Sequence, residues 1–201
     1  YEFWTQIDDD TKSFRELMSC DLTRKPMFDW EPCDSHKALN AAEQYIVKNK
    51  DVGTCSPLQP FKPPRIPKSD PRWSTSLVVG CNVFASERFN DFRFTSNYCA
   101  DAEMILTMLS KGLDTVWLDN YQIIQMPPTK NAEIRTQSID EWNNLYSRFK
   151  NYIDYKGIST SGWSSSKERN LHDNPAKLYR MNRSKLLRDA RNGTLKDVTL
   201  S

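Results

Sequence analysis

The sequence predicts an α/β fold with a mixed sheet flanked by helices, and three observations carry that expectation. The aromatic and β-branched run Tyr1–Ile7 stops abruptly at Asp8, Asp9 and Asp10, as a buried strand delivering carboxylates to a sheet edge would. A helix-period stretch from Asp34 to Lys48 is followed at once by the apolar segment Val52–Cys55. A second helix-period stretch, Asp101–Lys111, is followed by another, Leu113–Leu118. Alternation of this kind builds a sheet whose ligands sit at the C-terminal ends of its strands.

Taken in order, Tyr1–Ile7 is the first strand, and Asp8 and Asp10 project to one side of it with Asp9 on the other. Two same-side carboxylates can hold a hard cation such as Mg²⁺ or Mn²⁺ and leave positions open for phosphates. A solvated acidic turn is the competing reading. Thr11–Met18 is expected to be a short helix ended before Pro26. Asp34 or Ser35 caps the next helix, with Ala38, Leu39, Ala42, Tyr45 and Ile46 on its inner face. Six prolines from Pro57 to Pro71 then favour an extended loop, and Lys62, Arg65, Lys68 and Arg72 make it a surface for a polyanion or a plain connector.

Ser74–Phe84 reads as a buried strand, with Gly80 where a backbone or ligand approaches closely. Met104, Ile105, Met108 and Leu109 give Asp101–Lys111 its apolar face, and Gly112 suits the position just past the helix. The helix dipole favours an ionised Asp101 in its first turn. Ile139–Tyr155 and Pro175–Arg191 are expected to be helices, the latter basic, joined by the Ser-rich loop 159–166. This divides the chain into a domain over 1–158 and a basic tail over 159–201.

Composition sets the frame. The chain has 201 residues, net charge +2 and mean hydropathy −0.72, with no apolar run of the roughly 20 residues that span a membrane. Its five cysteines are irregularly spaced and lack a Cys-x-x-Cys pair, which favours reduced thiols and a cytoplasmic location. Cys33 and His36 form only an isolated half of a zinc pattern, so zinc is not expected. The sequons at Asn182 and Asn192 read as chance in such a compartment. Because the first residue is Tyr1, the chain is expected to begin inside a longer reading frame.

Four segments together resemble one known family. Trp4-Thr-Gln-Ile-Asp-Asp-Asp10 resembles a strand ending in an Asp-x-Asp metal motif, and Asn49-Lys-Asp-Val-Gly-Thr-Cys-Ser-Pro57 resembles the stretch that follows it. Val78–Phe84 is similar to the strand lining the acceptor side, and Phe92–Thr115 to a block carrying an acidic pair before a hydrophobic helix. Over residues 1–125 the chain thus resembles glycosyltransferases of the GT-A fold, and within them the TET-associated glycosyltransferases of bacteriophages. Two departures stand out: the acidic pair is Ala100–Asp101 here with Glu103 in place of a later aspartate, and only seven residues precede Asp8. The βα units that bind the nucleobase in that fold take about 60 residues, so either the chain is a fragment that lacks its N-terminal nucleotide-binding half or its donor site is incomplete.

The resemblance implies a nucleotide sugar, such as a UDP-sugar, a divalent cation (Mn²⁺ or Mg²⁺) and inverting transfer in an infected bacterial host. The acceptor it implies is a hydroxymethylated pyrimidine in double-stranded DNA, with the basic loop and Glu103 on the acceptor side. It places the metal at Asp8 and Asp10, with His172 as a further ligand, the donor near Asp9 and Gly80, and the general base at Asp101. From the residues alone, a two-metal nuclease using Asp8, Asp10, Asp101 and Glu103 remains an alternative, as does a non-catalytic nucleic-acid-binding module.

Overall fold

A computed structural model describes residues 2–21, 27–59, 72–76, 80–90, 92–93, 95–96, 99–125, 133–155 and 179–199. The chain forms two compact units, one of Tyr1–Asp91 with Leu113–Pro128 and one of Phe92–Gly112 with Thr129–Ser201. The expected boundary at residue 158 lies outside the described residues, as do Lys62, Arg65, Lys68 and His172.

The first unit is a mixed sheet. Its strands are β1 (Phe3–Ile7), β2 (Thr11–Asp21), β3 (Met27–Cys33), β4 (Val52–Leu58), β5 (Arg72–Trp73), β6 (Cys81–Ala85) and β7 (Asp114–Gln125). The order is β1-β6-β4-β7-β2-β3, with the short β5 also paired to β7. Among the described residues only β4 and β7 run parallel, and the other pairs of this sheet are antiparallel. This α/β arrangement is compatible with a Rossmann-like fold.

One face of the sheet is apolar because helix α1 (Ser35–Lys48) covers it. Ala42 and Ile46 of α1 pack with Val52 and Cys55 of β4, Val83 and Ala85 of β6, and Val116 and Leu118 of β7. The start of α1 is fixed by Asp34, whose Oδ1 accepts from His36 N at 2.8 Å. Its end is held from the short helix α2 (Ser86–Phe89), where the Arg88 guanidinium donates to the carbonyls of Ile46, Asn49 and Val52. A cation on those carbonyls satisfies the orphan acceptors of a helix C-terminus and complements its dipole.

The sheet's other face is unusual for a buried surface. Thr54, Ser56, Asn82 and Thr115 all have 0% exposure there. Three of the four close on nearby carbonyls: Thr54 on Val83, Ser56 on Pro57 and Thr115 on Ser76. Asn82 does not.

The second unit centres on α3 (Ala100–Ser110), nearly all of which is buried. It is joined by α4 (Glu133–Arg148), the hairpin β8 (Ile153–Tyr155) and β9 (Tyr179–Met181), and α5 (Arg183–Arg191). Tyr179 stacks on Trp142 at 5.5 Å, and its hydroxyl donates to Asn143 Oδ1 at 2.6 Å. Leu186 and Leu187 bury the inner face of α5. Gly112, at φ 78°, ends α3 in the left-handed conformation a glycine adopts without a Cβ penalty.

Several elements differ from expectation. Thr11–Met18 is strand, not helix: β2 is gripped by β3 on one side and β7 on the other, and that pairing outweighs the helix preference of Arg15, Glu16, Leu17 and Met18. For the same reason β7 continues past Asp119 and Asn120, because residues 121–125 pair with β2. β4 runs on through Pro57, and the strand expected from Ser74 is described as strand only over Cys81–Ala85. The helix expected through Tyr155 ends at Arg148, and Ile153 belongs to β8. The basic helix begins only at Arg183, after β9, where the Asn182 side chain accepts from Lys185 N.

Candidate functional site

The acidic turn is built by strand pairing. The β1–β6 ladder extends one residue past Ile7, where Asp8 N donates to Gly80 O at 2.9 Å. Thr11 then donates its amide to Asp8 O at 3.0 Å and its hydroxyl to Gly80 O at 3.3 Å. Residues 8–10 therefore form a short crossing from β1, paired with β6, to β2, paired with β7. The crossing lies beside Gln125, the last residue of β7, whose Nε2 donates to Asp10 Oδ1 at 3.1 Å.

Gly80 makes this crossing possible. Its φ is +87°, and an added Cβ would lie 2.6 Å from both Gln125 Nε2 and Ile123 Cδ1. The expected close approach at Gly80 is thus an approach of protein side chains, among them the one that orients Asp10.

Asp8 and Asp10 are half-buried and Asp9 is exposed. Burial, followed by the charges of Asp10 and then Asp9, raises the Asp8 carboxyl above its ordinary value of 3.8. An acid raised in this way is destabilised as an anion, so in the unliganded fold it costs stability as pH climbs past the ordinary carboxylate range. A dication would reverse that penalty. Hard carboxylate oxygens crowded by like charge fit Mg²⁺ or Mn²⁺. Among the described residues no group of three His, Cys, Asp or Glu side chains is gathered as a metal set, so any further ligand of such an ion is of another type or lies outside them.

In the second unit, Asp101 is half-buried in the first turn of α3 and Glu103 has no exposed surface. Residues two apart on a helix do not share a face. Glu103 turns into a pocket of about 210 Å³ that Thr95, Ser96, Cys99, Glu141 and Arg148 also line. There its carboxylate is fully engaged: it pairs with Arg148, and it accepts from Thr95 N at 3.0 Å and Thr95 Oγ1 at 2.5 Å. Glu103 is therefore an anchor of the second unit.

Cys99 lines the same pocket. Ser96 Oγ accepts from Cys99 N at 2.9 Å, lies 2.8 Å from its Sγ and donates to Glu141 Oε2 at 2.5 Å. Burial first, with Glu141 and Glu103 adding to it against Ser96 and Arg148, pushes the Cys99 thiol up to about 11. It is a protonated thiol at neutral pH, not a nucleophile.

The basic tail is partly engaged within the chain. Lys185 pairs with Asp189 at 3.1 Å and sits 4.2 Å over the Tyr152 ring, and Arg191 Nε donates to Gly112 O at 3.0 Å. Arg188 keeps 66% of its side chain exposed. Arg72 lies in β5, in the sheet rather than in a free loop.

Sequence reasoning missed Gln125 and Arg148, whose roles come from partners far along the chain. Among the described residues no helix is long and apolar enough to cross a membrane. No protein-family model, no curated protein and no solved structure matches the chain.

Proposed function

We propose that the chain carries the catalytic core of a metal-dependent glycosyltransferase of GT-A type. It moves a sugar from a nucleotide sugar, such as a UDP-sugar, to an acceptor hydroxyl, with inversion. The observation that carries this reading is the Asp8–Asp10 crossing at the C-terminal end of β7, where a half-buried carboxylate is raised by burial first and then by its acidic neighbours. Acids kept ionisable and crowded at a strand end are arranged for a cation and a phosphate-bearing ligand.

Asp8 and Asp10 hold the ion, and Gln125 fixes Asp10 through its amide. When bound, the ion supplies positive charge for the diphosphate that leaves. Gly80 keeps the crossing in place through its carbonyl. Asp101 is assigned the general base: it takes the acceptor hydroxyl proton as that oxygen bonds to the anomeric carbon and the bond to the diphosphate breaks. The proposed acceptor is a hydroxymethylated pyrimidine in double-stranded DNA. Exposed Arg188 and the basic loop would contact its phosphates, so binding would weaken with salt. A base in duplex would have to leave the stack to react.

The test is incubation of the protein with Mn²⁺, a panel of labelled nucleotide sugars and DNA containing hydroxymethylated pyrimidines. Label from one donor is expected in the DNA. Label in none of the acceptors, alongside Mg²⁺-dependent cleavage of the DNA, would replace this reading with the nuclease.

A further inference from the structure

β1 stands at one end of the strand order and β3 at the other, and among the described residues no strand pairs with the outer side of β1. Its ladder with β6 is closed at the two ends by Asp8 N donating to Gly80 O and Ser86 N donating to Glu2 O, both at 2.9 Å. Antiparallel bonding alternates along a strand, so the even-numbered residues of β1 are the ones bonded to β6. The N–H and C=O groups of Thr5 and Ile7 therefore point to the free edge.

The two edges differ in how they are guarded. β3 carries Asp29, Glu31 and Pro32, and its pairing with β2 shifts register between Leu17 and Ser19. Charge, proline and bulges are the devices that keep an edge from pairing. β1 has none of them: Phe3-Trp-Thr-Gln-Ile7 is uncharged and free of proline, and its register with β6 is unbroken. It also shows apolar surface on both faces. Val83 and Ala85 lie on the α1 face, which puts Thr5 and Ile7 there and Trp4 and Gln6 on the other. Trp4 is 61% exposed and Ile7 46%.

Charge decides what fits this edge. Glu2 precedes the strand and Asp8 and Asp9 follow it, so acids bracket the uncharged stretch, and Glu2 and Asp9 are exposed. A second copy pairing antiparallel about Thr5 would reach the same backbone groups, but at both ends it would set Glu2 against an Asp8. Like charges directly opposite one another disfavour that pairing.

We propose that the free edge of β1 takes up an extended segment of a partner protein as an added strand, with β-branched residues at its centre and Lys or Arg at both ends. Main-chain bonds to Thr5 and Ile7 supply the attachment, and the end charges, facing Glu2 and the 8–9 carboxylates, supply the selectivity. The site goes beyond the transfer reading and does not depend on it.

The probe is the capped peptide Lys-Val-Thr-Val-Thr-Val-Lys carrying a fluorophore, titrated with the metal-free chain and followed by anisotropy. Its Glu-ended counterpart is expected to bind at least about tenfold more weakly, and added salt is expected to narrow the difference. Paired antiparallel about Thr5, the central valine turns its N–H to β1 while the threonines beside it turn theirs away. N-methylation of that valine is expected to cost about tenfold in affinity, the scale of one lost hydrogen bond, and N-methylation of the first threonine little. Thr5→Pro removes an outward N–H that β6 does not use, a position where an edge tolerates proline, and is expected to weaken the peptide to the same degree. The methylated peptides keep the test sound on the wild-type chain should that variant fail to fold. No binding of the Lys-ended peptide, equal affinity for the two end charges, or equal affinity after methylation of the central valine would overturn the proposal. A wild-type chain that sediments as a dimer, and as a monomer in Thr5→Pro, would also overturn it by assigning the edge to a second copy.

Discussion

Arg148→Met is expected to destabilise the chain by about 3–5 kcal/mol, because it strands the Glu103 carboxylate, whose side chain has 0% exposure, without its counter-ion. Arg148 Nη1 bonds both that carboxylate and Thr95 Oγ1, and its Nε donates to Thr199 O at 3.2 Å. One side chain thus ties α3, the 95–96 segment and the C-terminal residues together. For a chain of this length the loss corresponds to a fall in melting temperature of roughly 6–20 °C. Adding Glu103→Leu to Arg148→Met should recover most of the loss, since replacing a whole buried pair by apolar groups is often neutral. Thermal denaturation of the three variants checks this. A single-variant loss under about 1 kcal/mol would mean the pair behaves as a surface salt bridge.

Asp101→Asn is expected to lower the rate of sugar transfer by about 10²–10⁴-fold, the usual contribution of a positioned general base. Donor binding should be unchanged, because Asp101 is not assigned to the metal or the diphosphate. The variant also gives up a charge at the N-terminus of α3, worth about 0.3–1 kcal/mol. Steady-state transfer and donor titration on the same preparation separate these effects. A wild-type rate in Asp101→Asn would remove the residue from catalysis, and a parallel loss of donor affinity would make it a binding residue instead.

What the sequence revealed follows from how local each signal is. Helix α1 was legible because its cap, Asp34, and its apolar positions Ala38, Ala42 and Ile46 all lie within fifteen residues. The end of α3 was legible because Gly112 alone suffices to mark it. β2 was not, because its own residues favour helix and its strand form is dictated by β3 and by residues 121–125 of β7. In the site, Asp8 and Asp10 announced themselves as acids at a strand end. The group that orients Asp10 did not: Gln125 is 115 residues from it. Gly80 was recognisable as a point of close approach, but only the fold reveals that Ile123 and Gln125 are what approaches.

The most direct test of the account is calorimetric titration of the chain with Mn²⁺ and a panel of nucleotide sugars, beside the Asp8→Asn/Asp10→Asn variant, at mildly acidic and at neutral pH. The account predicts that one donor binds only when Mn²⁺ is present and that the variant abolishes binding. It also predicts tighter binding at neutral pH, because the raised Asp8 carboxyl must lose its proton before it holds a cation. Binding of no donor under any condition, or donor binding that survives in the variant, would contradict it.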